Sequence, residues 1–556
     1  MKRWQADLAE QVFDVVVIGG GIYGAAITWQ LTTAGLKTLL LDRGDFCGAT
    51  SANSLKILHG GLRYLQHLDL KRMRESIRSR RDLMAACPHL VRPLGCLLPT
   101  SGYGLRSRLV MGTAFLFNDL ISWDRNKGLG AENRLGRSRI LDRQKLFAAL
   151  PGLERREISG GALWHDGLAC NTERLALEHI LAARDQGAET INYMKVLRIV
   201  VQEGRVTGVE VEDGISGNRM VVRADRVVNA AGPWFESVLR ASDIPVRQKT
   251  RWAKAVNLVV SKRLHPDYGI GLESREAYQD QNSIVKRGKR LYFFVPWRGG
   301  TMVGTTYCCF QEHPDRLRIT EEDLNEIVEE VNSICPGMNL CLEDVTFFHC
   351  GLVPMADRQK MNSTGVQLAK SSLIIDHGKR DGPAGLISLR SIKYTTAPAV
   401  ARRVAALLGY DAGGSGAWFS SPAAGVSLPA GGPNGDEVWS HLERKYGGRA
   451  GRILRFVTAG QGDPWLFRNP DVLRGEIQYF VREEMAMTLS DIIFRRSDLG
   501  TFACPAKALL DAIAEIMARE HGWHRERREQ EVRSVQESYF PLPAAASCNG
   551  KKGGCR

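Results

Sequence analysis

The first strong pattern in the chain is a short apolar run, Phe13 to Ile18, which reads as a buried strand. A glycine turn follows. Beyond it, from Ile22 to Ala34, Ile22, Ala26, Trp29 and Leu31 can share one helical face, and Gly35 is a natural stop. Lys37 to Asp42 reads as a second strand, so strand, helix and strand fit within the ~30 residues of a βαβ unit. Farther on, Leu68 to Ala86 predicts a helix whose Arg-rich face is solvated. Strand-like runs recur at 191–200, 205–211, 219–223, 225–230, 255–260 and 291–295, with an acidic helix at 320–334. Residues 411–436 turn rich in Gly, Ser and Pro and read as a linker. Helical periodicity returns at 437–446, 450–459, 473–496 and 505–521, and the chain ends in a small, polar, basic stretch. The pattern divides the chain into a mixed α and β body (12–410), a linker (411–436), a helical domain (437–541) and a disordered tail (542–556).

Composition narrows the class. The 556 residues are 44% hydrophobic and 24% charged, values of a globular chain long enough for two or three domains. The formal net charge of +14 favours anionic partners without choosing among them. The 12 cysteines form no CxxC pair, which disfavours zinc-ribbon and thioredoxin-like readings, and no metal site is expected. The first ten residues lack a signal-peptide core, and no uncharged apolar run approaches ~18 residues. A cytoplasmic protein is expected. The Arg-rich stretch 519–533 also carries several Glu and shows no aromatic–basic interleaving, so it reads as a solvated helix and no nucleic-acid partner is expected.

The clearest chemistry lies at the N-terminus. Gly19, Gly21 and Gly24 form GxGxxG after a strand and at the start of a helix, and Asp42 follows at the end of the next strand. The first glycine permits the tight turn, the second lets backbone approach a pyrophosphate, and the third allows close packing of helix on strand. The helix start offers free N–H groups to phosphate, and the acid is placed for a ribose hydroxyl. Asp42 is compatible with NAD or FAD. Two segments favour FAD: ADRVVNAAGPW (224–234), a strand running into a small-residue turn, and CGATSANSLKILHGGLRY (47–64), rich in small hydroxylic residues and ending in His-Gly-Gly. The cofactor-binding candidates are Gly19, Gly21, Ile22, Tyr23, Gly24, Asp42, Arg43, Thr50, Ser51, Ser54, His59, Gly60, Val196, Ala231, Gly232, Trp234 and Thr395. Cys47, just before the flavin loop, reads as an inert small residue rather than a covalent flavin attachment.

In this order, VVVIGGGIYGAAITWQLTTAGLKTLLLDRGDF, GATSANSLKILHGGLRYL, VVNAAGPW, Lys393-Tyr-Thr-Thr and VREEMAMTLSDIIFRR resemble the FAD-dependent glycerol-3-phosphate dehydrogenases, within the D-amino-acid-oxidase-like flavoenzymes. The resemblance runs from about 12 to 540. It implies a Rossmann-like FAD-binding domain (α/β plus α+β) with an interleaved mixed-sheet substrate domain and a C-terminal all-α domain. It further implies hydride transfer from a secondary alcohol of a small anionic substrate to flavin N5, with a quinone-type acceptor at a membrane surface. Peripheral contact with the cytoplasmic membrane face and a homodimer are the partner expectations. By the same resemblance Arg63, Tyr64 and Lys393 sit near the substrate, with Arg63 suited to a substrate oxyanion.

Five positions depart from the family pattern. Asn257 stands where a His is usual, and a neutral amide is no general base. Val353 and Lys370 stand where two arginines are expected, and Ser391-Ile392 replaces Gly-Gly before Lys393. His59 is then the family-matched alternative base, with His165 and His349 weaker candidates. The Trp-His-Asp at 164–166 reads either as a fragment of the site or, as is usual for an isolated His-Asp pair, as ordinary hydrogen bonding. Three functions remain: a glycerol-3-phosphate-type dehydrogenase; a flavoenzyme for a phosphodiester alcohol, a 2-hydroxy acid or an amine; and a catalytically weakened flavin-binding partner protein.

Overall fold

A computed structural model describes residues 6–101, 107–150, 158–277, 289–357, 366–410, 435–460 and 462–542. Two sheets form the body. The first has the Val12–Ile18 strand at its centre, parallel to Thr38–Leu41 on one side and to Arg219–Asn229 on the other. Glu189–Ile191 extends one edge in parallel, Leu386–Arg390 extends the other, and Leu373–Asp376 closes that edge antiparallel. All four residues of Thr38–Leu41 are buried, because the helices Ile22–Thr33, Thr172–Asp185 and Ala397–Leu407 pack one face of this sheet. Parallel strands covered in this way read as unbroken apolar runs, which is why this half of the fold stood out in the sequence. The run at 191–200 divides into two strands, Glu189–Ile191 and Met194–Gln202, since Tyr193 takes φ +54° and turns the chain between them.

The second sheet is mixed and nine-stranded. Its path runs through Val345–Pro354, Trp252–Val260, Gly300–Phe310, Lys289–Trp297, Tyr268–Ala277, Val91–Ser101, Ile158–Ala169 and Ile57–Leu58, with Arg139–Asp142 pairing Ile158–Ala169. The mixed-sheet domain therefore draws strands from before and after the central cofactor strand Arg219–Asn229.

The C-terminal α-helical region has its own core, from Val438 to Tyr539. The single helix expected at 473–496 is three pieces. Arg474–Glu484 ends at Met485 (φ +54°), and a new turn starts at Thr488, whose hydroxyl accepts from Asp491 N. Residues Ile492–Arg496 follow as one π-helical turn. The linker expected at 411–436 lies outside the described residues except for Gly435 and Asp436, which open the Gly435–Tyr446 helix; of the tail, only Leu542 is described.

Buried ions join this region to the body. Asp45 accepts from Arg495 Nε, from Arg496 Nη1 and, at 3.0 Å, from Asn192 Nδ2. Arg174 pairs with Glu178 at 2.6 Å and Glu484 at 2.7 Å, and Arg449 reaches Glu178 at 2.6 Å. Burial favours a neutral Glu178, but the two guanidinium charges outweigh it and hold its carboxyl at about 2. Among the described residues, no helix is long and apolar enough to cross a membrane.

Candidate active site

One large cavity, about 1260 Å³, lies between the two sheets. That exceeds the roughly 300–1,000 Å³ of an ordinary small-molecule site and leaves room for a cofactor together with a second ligand.

The glycine turn forms one end of the cavity. Gly19 has φ +102°, and a Cβ there would stand 2.7 Å from Ala230 O, so this crossing of the two central strands admits only glycine. Gly24 is not on the wall; a Cβ on it would collide with the Gly19 carbonyl, which is the close helix–turn packing expected of the third glycine. The Ile22–Thr33 helix opens at Gly21, which has no side chain to cap it, and Ser51 Oγ accepts from Ile22 N at 2.9 Å. The helix start therefore faces the cavity as an anion site. Asp42 accepts from Gly20 N at 2.6 Å and Gly44 N at 3.0 Å. Burial pushes its carboxyl up to about 6 despite those two hydrogen bonds.

Past Asp42, Arg43 lies over the Trp234 ring at 4.1 Å, and both bond Asp315, at 2.7 and 2.8 Å. Val196, Ala231 and Gly232 line the same end. The hydroxylic segment locks its own loop onto the neighbouring sheet. Thr50 Oγ1 donates to Leu352 O at 3.2 Å, Asn53 Oδ1 accepts from Cys350 N at 3.1 Å, and Ser54 Oγ accepts from Lys56 N at 3.3 Å. Cys47 is buried with its thiol donating to Gly20 O at 3.4 Å, and burial pushes that thiol's pKa well up, as suits an inert residue.

At the other end stands Asp166. It accepts from Gly60 N at 2.6 Å, from Trp164 Nε1 at 3.1 Å and from Arg80 Nη1, and its Oδ2 is 3.5 Å from His59 Nδ1. Burial alone would raise this carboxyl, but the hydrogen bond from His59 and the Arg80 charge hold it below the usual carboxylate range. Gly60 is fixed by these bonds behind the wall, where a Cβ would run into the Arg80 guanidinium. His59 N donates to Thr395 Oγ1 at 3.2 Å, and the His59 ring lies on the cavity wall. Across the cavity, Lys393 Nζ donates to Tyr64 OH, and Tyr23 OH donates to Lys393 O at 2.7 Å. Arg72 lies over the Tyr64 ring at 5.2 Å and donates to Lys370 O at 3.0 Å; Lys370, Arg72 and Val353 all line this end. The backbone of Arg63 belongs to the Leu62–His67 turn, and its side chain lies outside the described residues.

Asn257 also lines the cavity, but it is buried and its Oδ1 accepts from Thr305 Oγ1 at 2.7 Å, so it is a fixed wall. His349, its cross-strand neighbour, is buried edge-on against Phe347 at 5.1 Å, and burial drives its pKa well below the usual imidazole value. His165 points the other way along its strand, toward a small void with Arg125 and Gly136. His59 is thus the imidazole placed to exchange a proton at this end. Arg80 and Arg72 were not among the sequence candidates, and Asp166 entered only as part of the Trp-His-Asp at 164–166.

The model of the family described as FAD dependent oxidoreductase matches residues 14–407. The chain belongs to that family. A second model, the C-terminal domain of alpha-glycerophosphate oxidase, matches residues 396–528 of this flavoenzyme. The glycerol-3-phosphate dehydrogenase of Synechocystis sp. is 28% identical, covering 96% of this chain and 97% of its own length. The mitochondrial glycerol-3-phosphate dehydrogenase of Rattus norvegicus is 28% identical, over 94% of this chain and 72% of that protein. The crystal structure of the Bacillus halodurans glycerol-3-phosphate dehydrogenase complexed with FAD shares the fold, with a TM-score of 0.69 and 22% identity over 96% of this chain and 95% of that one. The cofactor of this glycerol-3-phosphate dehydrogenase-like flavoenzyme is FAD, and the open helix start at Gly21, the Asp42 carboxylate and the small turn at Ala231–Gly232 fit it.

Proposed function

We propose that this flavoenzyme is a dehydrogenase for the secondary alcohol of a small anionic substrate of the glycerol-3-phosphate type. The observation that carries the reading is the meeting of an oriented imidazole, His59 held by Asp166, with the Lys393–Tyr64 pair in one chamber beside the cofactor-binding turn. When bound, FAD accepts the hydride. His59 takes the hydroxyl proton through Nε2, the ring nitrogen left when Nδ1 faces Asp166. Asp166 keeps that orientation and stabilises the imidazolium that results. Lys393 and Lys370, together with Arg72, which also pairs with Asp69, line the wall that faces the substrate anion. A quinone-type acceptor, met through peripheral membrane contact, completes the cycle.

The test is anaerobic mixing of the holoenzyme with glycerol 3-phosphate while the visible flavin absorbance is followed. Bleaching supports the reading, and an unchanged spectrum overturns it for that substrate. A second reading is favoured by Val353, which puts an isopropyl group where the family resemblance places a guanidinium. It keeps the hydride chemistry and replaces the phosphate monoester with a singly charged group, a phosphodiester or a carboxylate. The same bleaching assay over those compounds separates the two.

A further inference from the structure

The positive wall is only part of its end of the chamber; the lining that adjoins it is hydrocarbon. Leu55, Leu62, Leu98 and Leu291 line it together with Met111 and Ala114 of the Arg108–Ile121 helix. Rings connect His59 to that helix: His59 to Phe293 at 6.3 Å, Phe293 to Trp164 at 6.3 Å, and Trp164 to Phe115 at 6.4 Å. The same helix turns Leu109, Leu116 and Leu120 outward at 80%, 75% and 69% exposure. The helix is thus apolar on the side that walls the cavity and apolar again on its solvent side. A substrate as small and polar as glycerol 3-phosphate has no use for such a wall, since apolar surface left wet gains nothing.

We infer that the substrate alcohol carries a hydrocarbon chain, and that the apolar wall reaching Met111 and Ala114 is its subsite. The ligand class is an amphiphilic glycerol phosphate: an anionic head at Lys393, Lys370 and Arg72, a secondary hydroxyl at His59, and a chain on the neighbouring carbon along Leu62 and Met111. This rests on the dehydrogenase reading above and narrows it. The reaction is balanced without a further reagent. The O–H bond gives its proton to His59, the C–H bond gives its hydride to FAD, a C=O bond forms, and FAD takes up both electrons.

The experiment measures flavin reduction anaerobically with glycerol 3-phosphate and with a series of soluble 1-O-alkyl-glycerol 3-phosphates of increasing chain length. Burial of each methylene is expected to raise the apparent kcat/KM about fourfold. Met111→Glu and Ala114→Glu, on a helix with a solvent face, are expected to flatten that dependence. The natural protein alone can overturn the inference: bleaching by glycerol 3-phosphate with no gain from the chain sinks the chain subsite and leaves the dehydrogenase reading standing. No bleaching by any member removes both. If the chain series is flat and Met111→Glu raises the KM of a quinone analogue instead, the wall belongs to the acceptor and the inference is wrong.

Discussion

Asp166 is a carboxylate with four donors. Losing its charge while keeping its shape should leave the Gly60 and Trp164 hydrogen bonds partly in place and release the His59 ring. Asp166→Asn is therefore expected to bind FAD while slowing flavin reduction by about 10²–10⁴-fold, the usual worth of an oriented general base. A stopped-flow pH profile checks it. The profile should change in shape in Asp166→Asn, whereas a packing defect would scale it uniformly. The period of a strand could have revealed this residue. Trp164 and Asp166 are two apart and share a face, with His165 on the other. Read as a pair of adjacent letters, His-Asp looked ordinary; read by alternation, Asp166 joins Trp164 toward the cavity. Arg72 was hidden for another reason. It sits on an Arg-rich helix that the sequence reads as solvated, but Arg80 is buried on Asp166, Arg74 and Arg81 hold Asp124, and Arg72 pairs with Asp69; only the approach of Lys370, 298 residues away, brings Arg72 to the site. Asp42 yields a second prediction. Its carboxyl is raised to about 6, and if the FAD ribose donates a hydroxyl to it the ionised form is favoured, so FAD binding is expected to release a proton there. Affinity for FAD should rise about tenfold from pH 5 to pH 7 and level off above. Fluorescence titration of the apoprotein measures this, and Asp42→Asn should lose the dependence.

At the scale of elements, the loop after the second strand is held from the far end of the chain. Asp45 carries two arginines of the π-helical turn Ile492–Arg496, and Arg495 itself lines the cavity. Breaking a buried pair of this kind costs about 3–5 kcal/mol. Asp45→Asn should show that loss in urea unfolding, and FAD should bind more weakly because the Asp42–Cys47 loop loses its anchor. The break before this turn was legible: Thr488 followed three residues later by Asp491 is a capping box, and it marks a new helix inside what periodicity alone joined as 473–496. The ion network at Glu178 was not legible, since Arg174, Glu484 and Arg449 come from three separate segments. Glu178 is depressed from 4.5 to about 2, so its contribution to stability is complete above pH 4.5 and is lost as pH falls toward 2. Glu178→Gln should lower stability at neutral pH and flatten this acid limb, measured by urea midpoints across pH.

For the whole molecule, the covered parallel sheet announced itself through unbroken apolar strands, and the mixed sheet showed only in the runs at 255–260 and 291–295. Its members alternate or carry polar residues such as Asn257 and His349 in their interiors, and Ile57–Leu58 is too short for any periodicity. Because buried ions bind the helical region to the cofactor loop, saturating FAD should protect amides in Arg474–Glu484 as well as in the βαβ unit. Hydrogen exchange with and without FAD tests this; a ligand at 100 times its Kd adds about 2.7 kcal/mol to every opening that releases it. One last consequence comes from the single chamber in which a positive wall and an apolar wall adjoin. A donor with a chain and an acceptor with an apolar tail would contend for the same space, so they must take turns. Steady-state rates should trace parallel double-reciprocal lines, and an excess of either partner should choke the turnover of the other.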